Sequence, residues 1–165
     1  QRPTLPETLA VKIQKLASSF VYFNEKPWRT VRDALVDIPD PRQSEATIFL
    51  NHVFQDGARA YPGHTGSPLD LPAKTLKAGG HGVPGGENMM VMENREVRYF
   101  TVRESARLQT FPDGYVFHGS WTETMRQLGN AVPVSLARQV ASSTAIRLVE
   151  HDMRKITNHQ VRVAA

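Results

Sequence analysis

The stretch from Asn51 to Asn88, "NHVFQDGARAYPGHTGSPLDLPAKTLKAGGHGVPGGEN", restricts the fold of this chain more than any other feature, because it holds most of the 11 glycines and several of the 11 prolines. Proline removes a backbone donor and glycine resists ordering, so nothing here sustains a long helix or a central strand. A loop region of this length inside a compact domain is either functional or disordered.

Both sides carry regular patterns. From Thr8 to Phe23 the residues Leu9, Ile13, Leu16, Phe20 and Phe23 recur at three- and four-residue steps, which predicts one face of a helix. "WRTVRDALVDIPDP" predicts a short helix after Trp28, capped by Thr30 and ended by Pro39 and Pro41. "MMVMENREVRYFTV" predicts a hairpin of two short strands about a turn at Glu93 to Glu96. Thr101 and Glu104 have capping-box spacing and open a helix "VRESARLQ" that must finish before Pro112. Ser120 and Glu123 repeat the device and open "WTETMRQL".

The junction "RQLGNAVP", Arg126 to Pro133, follows. Gly129 reads as the left-handed residue that closes one helix, and Pro133 as a first-turn residue of the next, which runs through Leu136, Val140 and Leu148 toward Met153. Such a break presents the amides of a fresh helix N-terminus, a site suited to a carboxylate or phosphate. The same spacing also fits a plain helix-turn-helix corner with Asn130 as its own cap, the commoner use of such a junction.

Composition narrows the function classes. With 165 residues, 40% of them hydrophobic and 22% charged, the chain has the length of one domain or of the lesser part of a larger enzyme. It has no cysteine, which excludes disulfides, thiolate metal sites and a cysteine nucleophile. No apolar run approaches bilayer length and no signal pattern opens the chain, so the expectation is a soluble, cytoplasmic protein with no membrane partner. A net charge of +4 and a pI near 9.6 favour a polyanionic partner. His52, His64 and His81 lack metal-site spacing and read as surface or loop residues, so no metal is assigned. "GHGVPG" matches Gly-x-Gly-x-x-Gly, but Pro84 and the strand-like "MMVM" follow where a helix must open, which rejects a dinucleotide turn.

Two segments together resemble one family. "RYFTVRESARLQTFPDGYVF", Arg98 to Phe117, is similar to the ninth motif of the DNA cytosine-5 methyltransferases, Arg-x-Leu-Thr-x-Arg-Glu-x-Ala-Arg-Leu-Gln-x-Phe-Pro, with Phe100 in place of the leucine. "RQLGNAVP" resembles their tenth, in the right order and at a fitting separation. Upstream, "PAKTLKAGGHGVPGGEN" resembles the Thr-Leu pair and glycine-rich loop of the target-recognition region.

The resemblance implies an α/β enzyme family, of which this chain is the mixed α+β target-recognition lobe plus C-terminal helices that pack back on a Rossmann-like catalytic lobe. It divides the chain into residues 1–50 entering the recognition region, 51–97 with the glycine-rich loop, 98–154 with the two motifs and the terminal helix, and a tail over 155–165. Asn130 and the backbone of Ala131 match the position that holds the amino-acid end of S-adenosyl-L-methionine. Thr75 matches a DNA-phosphate contact beside the flipped cytosine, and Gly79, Gly80, His81, Gly82 and Gly85 would enter the major groove of double-stranded DNA. Arg98, Arg103, Glu104, Gln127 and Gly129 are implied to be structural.

In the family, methylation of cytosine C5 needs a thiolate from a Pro-Cys motif, a carboxylate from a Glu-Asn-Val motif and a Phe-x-Gly-x-Gly cofactor turn. This chain has no cysteine and no such turn, and Glu87 and Asn88 of "GENMMV" fall after the recognition threonine, where they read as loop residues. The implied role is the recognition part of a bacterial or phage-encoded enzyme of the restriction-modification type, inert without a catalytic lobe or complementary subunit. A chain that begins at Gln1 reads as a cut or partial product. The alternative is a stand-alone, sequence-specific DNA-binding module; a third reading is an inactive remnant.

Overall fold

The computed structural model describes residues 27–78 and 86–163, and for Gly86 and residues 156–163 the backbone alone. The predicted helix over Thr8 to Phe23 lies outside the described residues. α1 (Val31–Ala34) is a single turn. Thr30 accepts the Asp33 N–H at 3.2 Å while the Asp33 carboxylate accepts the Thr30 N–H at 2.8 Å, a reciprocal cap. The next two amides, of Val31 and Arg32, donate to the carbonyls of Leu71 and Leu69 at 3.0 and 2.8 Å, which hangs the helix start on the 69–71 segment. The helix stops at Ala34, ahead of the predicted proline stop, and a 3-10 turn follows at Ser44–Ile48.

Three short strands form the sheet. β1 (Ser67–Pro68) pairs parallel with β2 (Met89–Val91), with Ser67 opposite Met90, and β2 pairs antiparallel with β3 (Val97–Tyr99), with Met90 opposite Arg98. β2 and β3 are the predicted hairpin; Arg95 takes the left-handed backbone at its tip, with φ of 68°. β1 arises inside the glycine- and proline-rich stretch, and Pro68 sits on the sheet edge, where its missing N–H does no harm.

α2 (Val102–Leu108) and α3 (Trp121–Asn130) open with the two predicted capping boxes, and α4 (Val134–Val163) closes the described chain. Val31, Leu76, Met90, Phe100, Val102, Ala106, Phe117, Met125 and Leu128 make one core. Each large side chain buried there contributes about 1.5–3 kcal/mol. α4 differs: Leu136, Val140, Ile146, Leu148, Val149 and Met153 are each more than half exposed. Among the described residues no helix is long and apolar enough to cross a membrane.

Candidate functional site

A buried polar hub sits where β3 meets α2. The Arg98 guanidinium forks onto Glu104 with nitrogen–oxygen distances of 2.8 and 2.6 Å. Its Nε lies 3.6 Å from Asp40. One oxygen of Glu104 also accepts the Thr101 N–H at 2.8 Å, so the capping carboxylate serves helix and ion pair together. Arg103 is fully buried and donates to three carbonyls, of Leu50 at 2.8 Å, Tyr115 at 2.7 Å and Pro112 at 3.2 Å. Burial lowers its pKa, against the pull of Asp113 at 4.0 Å. Arg103 thereby ties the 50s segment to the loop after α2.

Two neighbours complete the hub and were not singled out from the sequence for this role. Asn51, in the left-handed region at φ 61°, pairs its side-chain amide with both backbone groups of Phe117, at 2.9 Å each. His52, read from the sequence as a surface or loop residue, is instead buried, with Nε2 2.9 Å from the Pro39 carbonyl and Nδ1 2.8 Å from Thr101 Oγ1. The carbonyl requires a proton on Nε2, and in that tautomer Nδ1 accepts the threonine O–H. Nothing local marks either residue, because their partners lie far along the chain.

The junction after α3 departs from its sequence reading in two ways. Gly129 is inside the helix, which runs to Asn130, and it is not a left-handed residue. The chain leaves the helix at Ala131, whose backbone is extended at φ −74° and ψ 146°, and Pro133, with no N–H, cannot resume the same helix. Gly129 is needed for closeness: a Cβ there would lie 2.8 Å from both the Ala78 nitrogen and the Lys77 carbonyl carbon. Nor are the first amides of α4 uncovered, since Val134 N–H donates to the Gln109 carbonyl at 3.0 Å and Ser135 N–H to Thr110 Oγ1 at 2.8 Å.

The fold brings Thr75 to this junction. Thr75 and Leu76 line a cavity of about 330 Å³ together with Gln109, Gly129, Ala131 and Pro133. Asn130 is exposed at the end of α3, and the Ala131 N–H is spent on the Leu128 carbonyl at 3.2 Å. Gln127 is exposed one turn earlier on the same helix. Gly79, Gly80, His81, Gly82 and Gly85 lie outside the described residues. Asn88, read as a loop residue, is fully buried and bound to the backbone of Lys77.

A family model of C-5 cytosine-specific DNA methylases matches residues 14–145. The chain is 40% identical over 124 residues to the type II methyltransferase M.NgoFVII of Neisseria gonorrhoeae, covering 75% of this chain and 29% of that protein. It is 38% identical over 81 residues to the type II methyltransferase M.AplI of Arthrospira platensis, covering 48% of this chain and 24% of the relative. It is also 41% identical over 64 residues to the DNA (cytosine-5)-methyltransferase CMT2 of Oryza sativa subsp. japonica, covering 39% and 5%. The chain thus spans less than a third of the length of these relatives. With the family model covering most of its length, this chain belongs to the C-5 cytosine-specific DNA methylases.

Proposed function

We propose that this chain supplies DNA target recognition and one wall of the S-adenosyl-L-methionine site of a DNA cytosine-5 methyltransferase, and that the methyl-transfer chemistry belongs to a catalytic lobe outside it. The observation that carries the reading is the cavity that Thr75 lines together with Gly129, Ala131 and Pro133, the neighbours of Asn130 at the junction. Thr75 and Ala131 border the same space, as a phosphate contact and a cofactor contact serving one reaction would.

The donor set fits the amino-acid end of the cofactor. Asn130 offers an exposed amide with both donor and acceptor, suited to a carboxylate or an ammonium. With its N–H already engaged, Ala131 has its carbonyl to offer, an acceptor for the ammonium. The amides at the start of α4 are engaged as well, so side-chain recognition replaces the helix-terminus site expected from sequence. When bound, the cofactor supplies the methyl group. The part of this chain is to hold one end of it, to contact DNA through Thr75, and to present the recognition loop over Gly79 to Gly85.

Two substitutions test the assignment in an enzyme reconstituted with a catalytic lobe carrying the Pro-Cys motif. Asn130→Ala should raise the cofactor KM about tenfold, the loss of a hydrogen bond to a charged group, with DNA binding unchanged. Thr75→Ala should do the reverse. An unchanged cofactor titration for Asn130→Ala, or lost cofactor affinity with intact DNA binding for Thr75→Ala, refutes the respective role.

A further inference from the structure

We infer that Asn88 and Gly129 are positioning residues that grip Lys77 from two sides and so fix Thr75 relative to the DNA backbone; this rests on the reading above that Thr75 faces DNA. Asn88 is fully buried, and its side-chain oxygen accepts the Lys77 N–H at 3.2 Å while its side-chain nitrogen lies 3.5 Å from the Lys77 carbonyl. The side-chain amide thus meets Lys77 as a neighbouring strand would, at both backbone groups. Asn88 is itself anchored, because its carbonyl accepts the Phe100 N–H at 2.9 Å and Phe100 is fully buried in the core.

The other jaw is α3. At Gly129 the helix backbone approaches the Lys77–Ala78 peptide so closely that even a methyl group would need that peptide to move. A peptide held by Asn88 cannot give way as a flexible side chain would. Leu76, between Thr75 and Lys77, is 6% exposed in the core. Exposed Thr75 therefore stands on a backbone fixed at the next two residues. Gly129 also precedes Asn130, so the same contact sets the spacing between the residue facing DNA and the residue facing the cofactor. None of this is local in sequence.

Amide hydrogen exchange in the chain itself, followed by kinetics in the reconstituted enzyme, tests the grip. Asn88→Ala and Gly129→Ala should each speed exchange of the Lys77 amide about tenfold or more. Each should lower kcat/KM for DNA about tenfold, since small displacements of positioning groups are costly, and Asn88→Ala should leave the cofactor KM unchanged. In a Thr75→Ala background Asn88→Ala should add little further loss toward DNA, whereas a purely structural role would multiply the two losses. Unchanged Lys77 exchange, or multiplied losses, overturns the inference. Should Gly129→Ala not fold, Asn88→Ala carries all three readouts. If the unsubstituted reconstituted enzyme neither binds DNA nor methylates it, the functional reading fails, and Lys77 exchange still decides the grip.

Discussion

Arg103 and Asp40 pose opposite electrostatic problems within one hub. Arg103 is a buried cation satisfied by carbonyl dipoles, and its planar fork reaches three of them at once. An ammonium cannot span that set, so Arg103→Lys should lower unfolding free energy by about 2–4 kcal/mol in a urea titration. Asp40 is an anion held by Arg42, which donates to its two oxygens at 2.8 and 3.0 Å, with Arg98 behind, and its carboxyl is held down to about 2 from an ordinary 3.8. Because the folded value lies below the unfolded one, the stabilisation is fully present above about pH 4 and is lost as pH falls through about 2. Asp40→Asn should therefore cost on the order of 1 kcal/mol at pH 7, reduced by solvent around exposed Arg42, with the difference from the parent closing near pH 2. A stability gap independent of pH would contradict this. At this scale the sequence motif named Arg98, Arg103 and Glu104, whereas Asn51, His52 and Asn88 were illegible because polar residues reveal burial only when distant partners arrive.

Helix starts were the most legible elements, since a capping box is complete within four residues: Thr30 with Asp33, Thr101 with Glu104 and Ser120 with Glu123 all close as reciprocal caps. Gly129 was misread because a glycine near a helix end ordinarily marks a left-handed cap, and sequence cannot show that another backbone passes beside it. β1 escaped notice because two residues carry no periodicity. α4 poses the question that remains at this scale, a 30-residue helix whose apolar side chains from Leu136 to Met153 meet solvent. Exposed apolar surface of this kind is typical of interfaces, and we propose that its partner is the catalytic lobe, onto which the family resemblance has the C-terminal helices pack back. Leu136→Glu should then leave the unfolding free energy of this chain within about 0.5 kcal/mol of the parent while abolishing complementation by that lobe. Destabilisation of the chain alone, or undiminished complementation, would refute the assignment.

The molecule as a whole draws its core from both sides of the glycine-rich stretch, with Val31 before it, Leu76 within it and Phe100 to Leu128 after it. Burial of Leu76 inside that stretch and of Met90 just beyond it anchors so loop-rich a segment to the core. The family was legible because two motifs of fixed spacing survive any folding uncertainty, and the three-stranded sheet was only half legible because β1 pairs across the chain. On the function proposed for it, the chain should be silent without a catalytic lobe. The most direct measurement is transfer of labelled methyl groups from S-adenosyl-L-methionine to DNA, by this chain alone and after mixing with a catalytic-lobe chain carrying the Pro-Cys motif. The account predicts methylation only in the mixture; methylation by this cysteine-free chain alone, or none when a folded catalytic lobe is supplied, would contradict it.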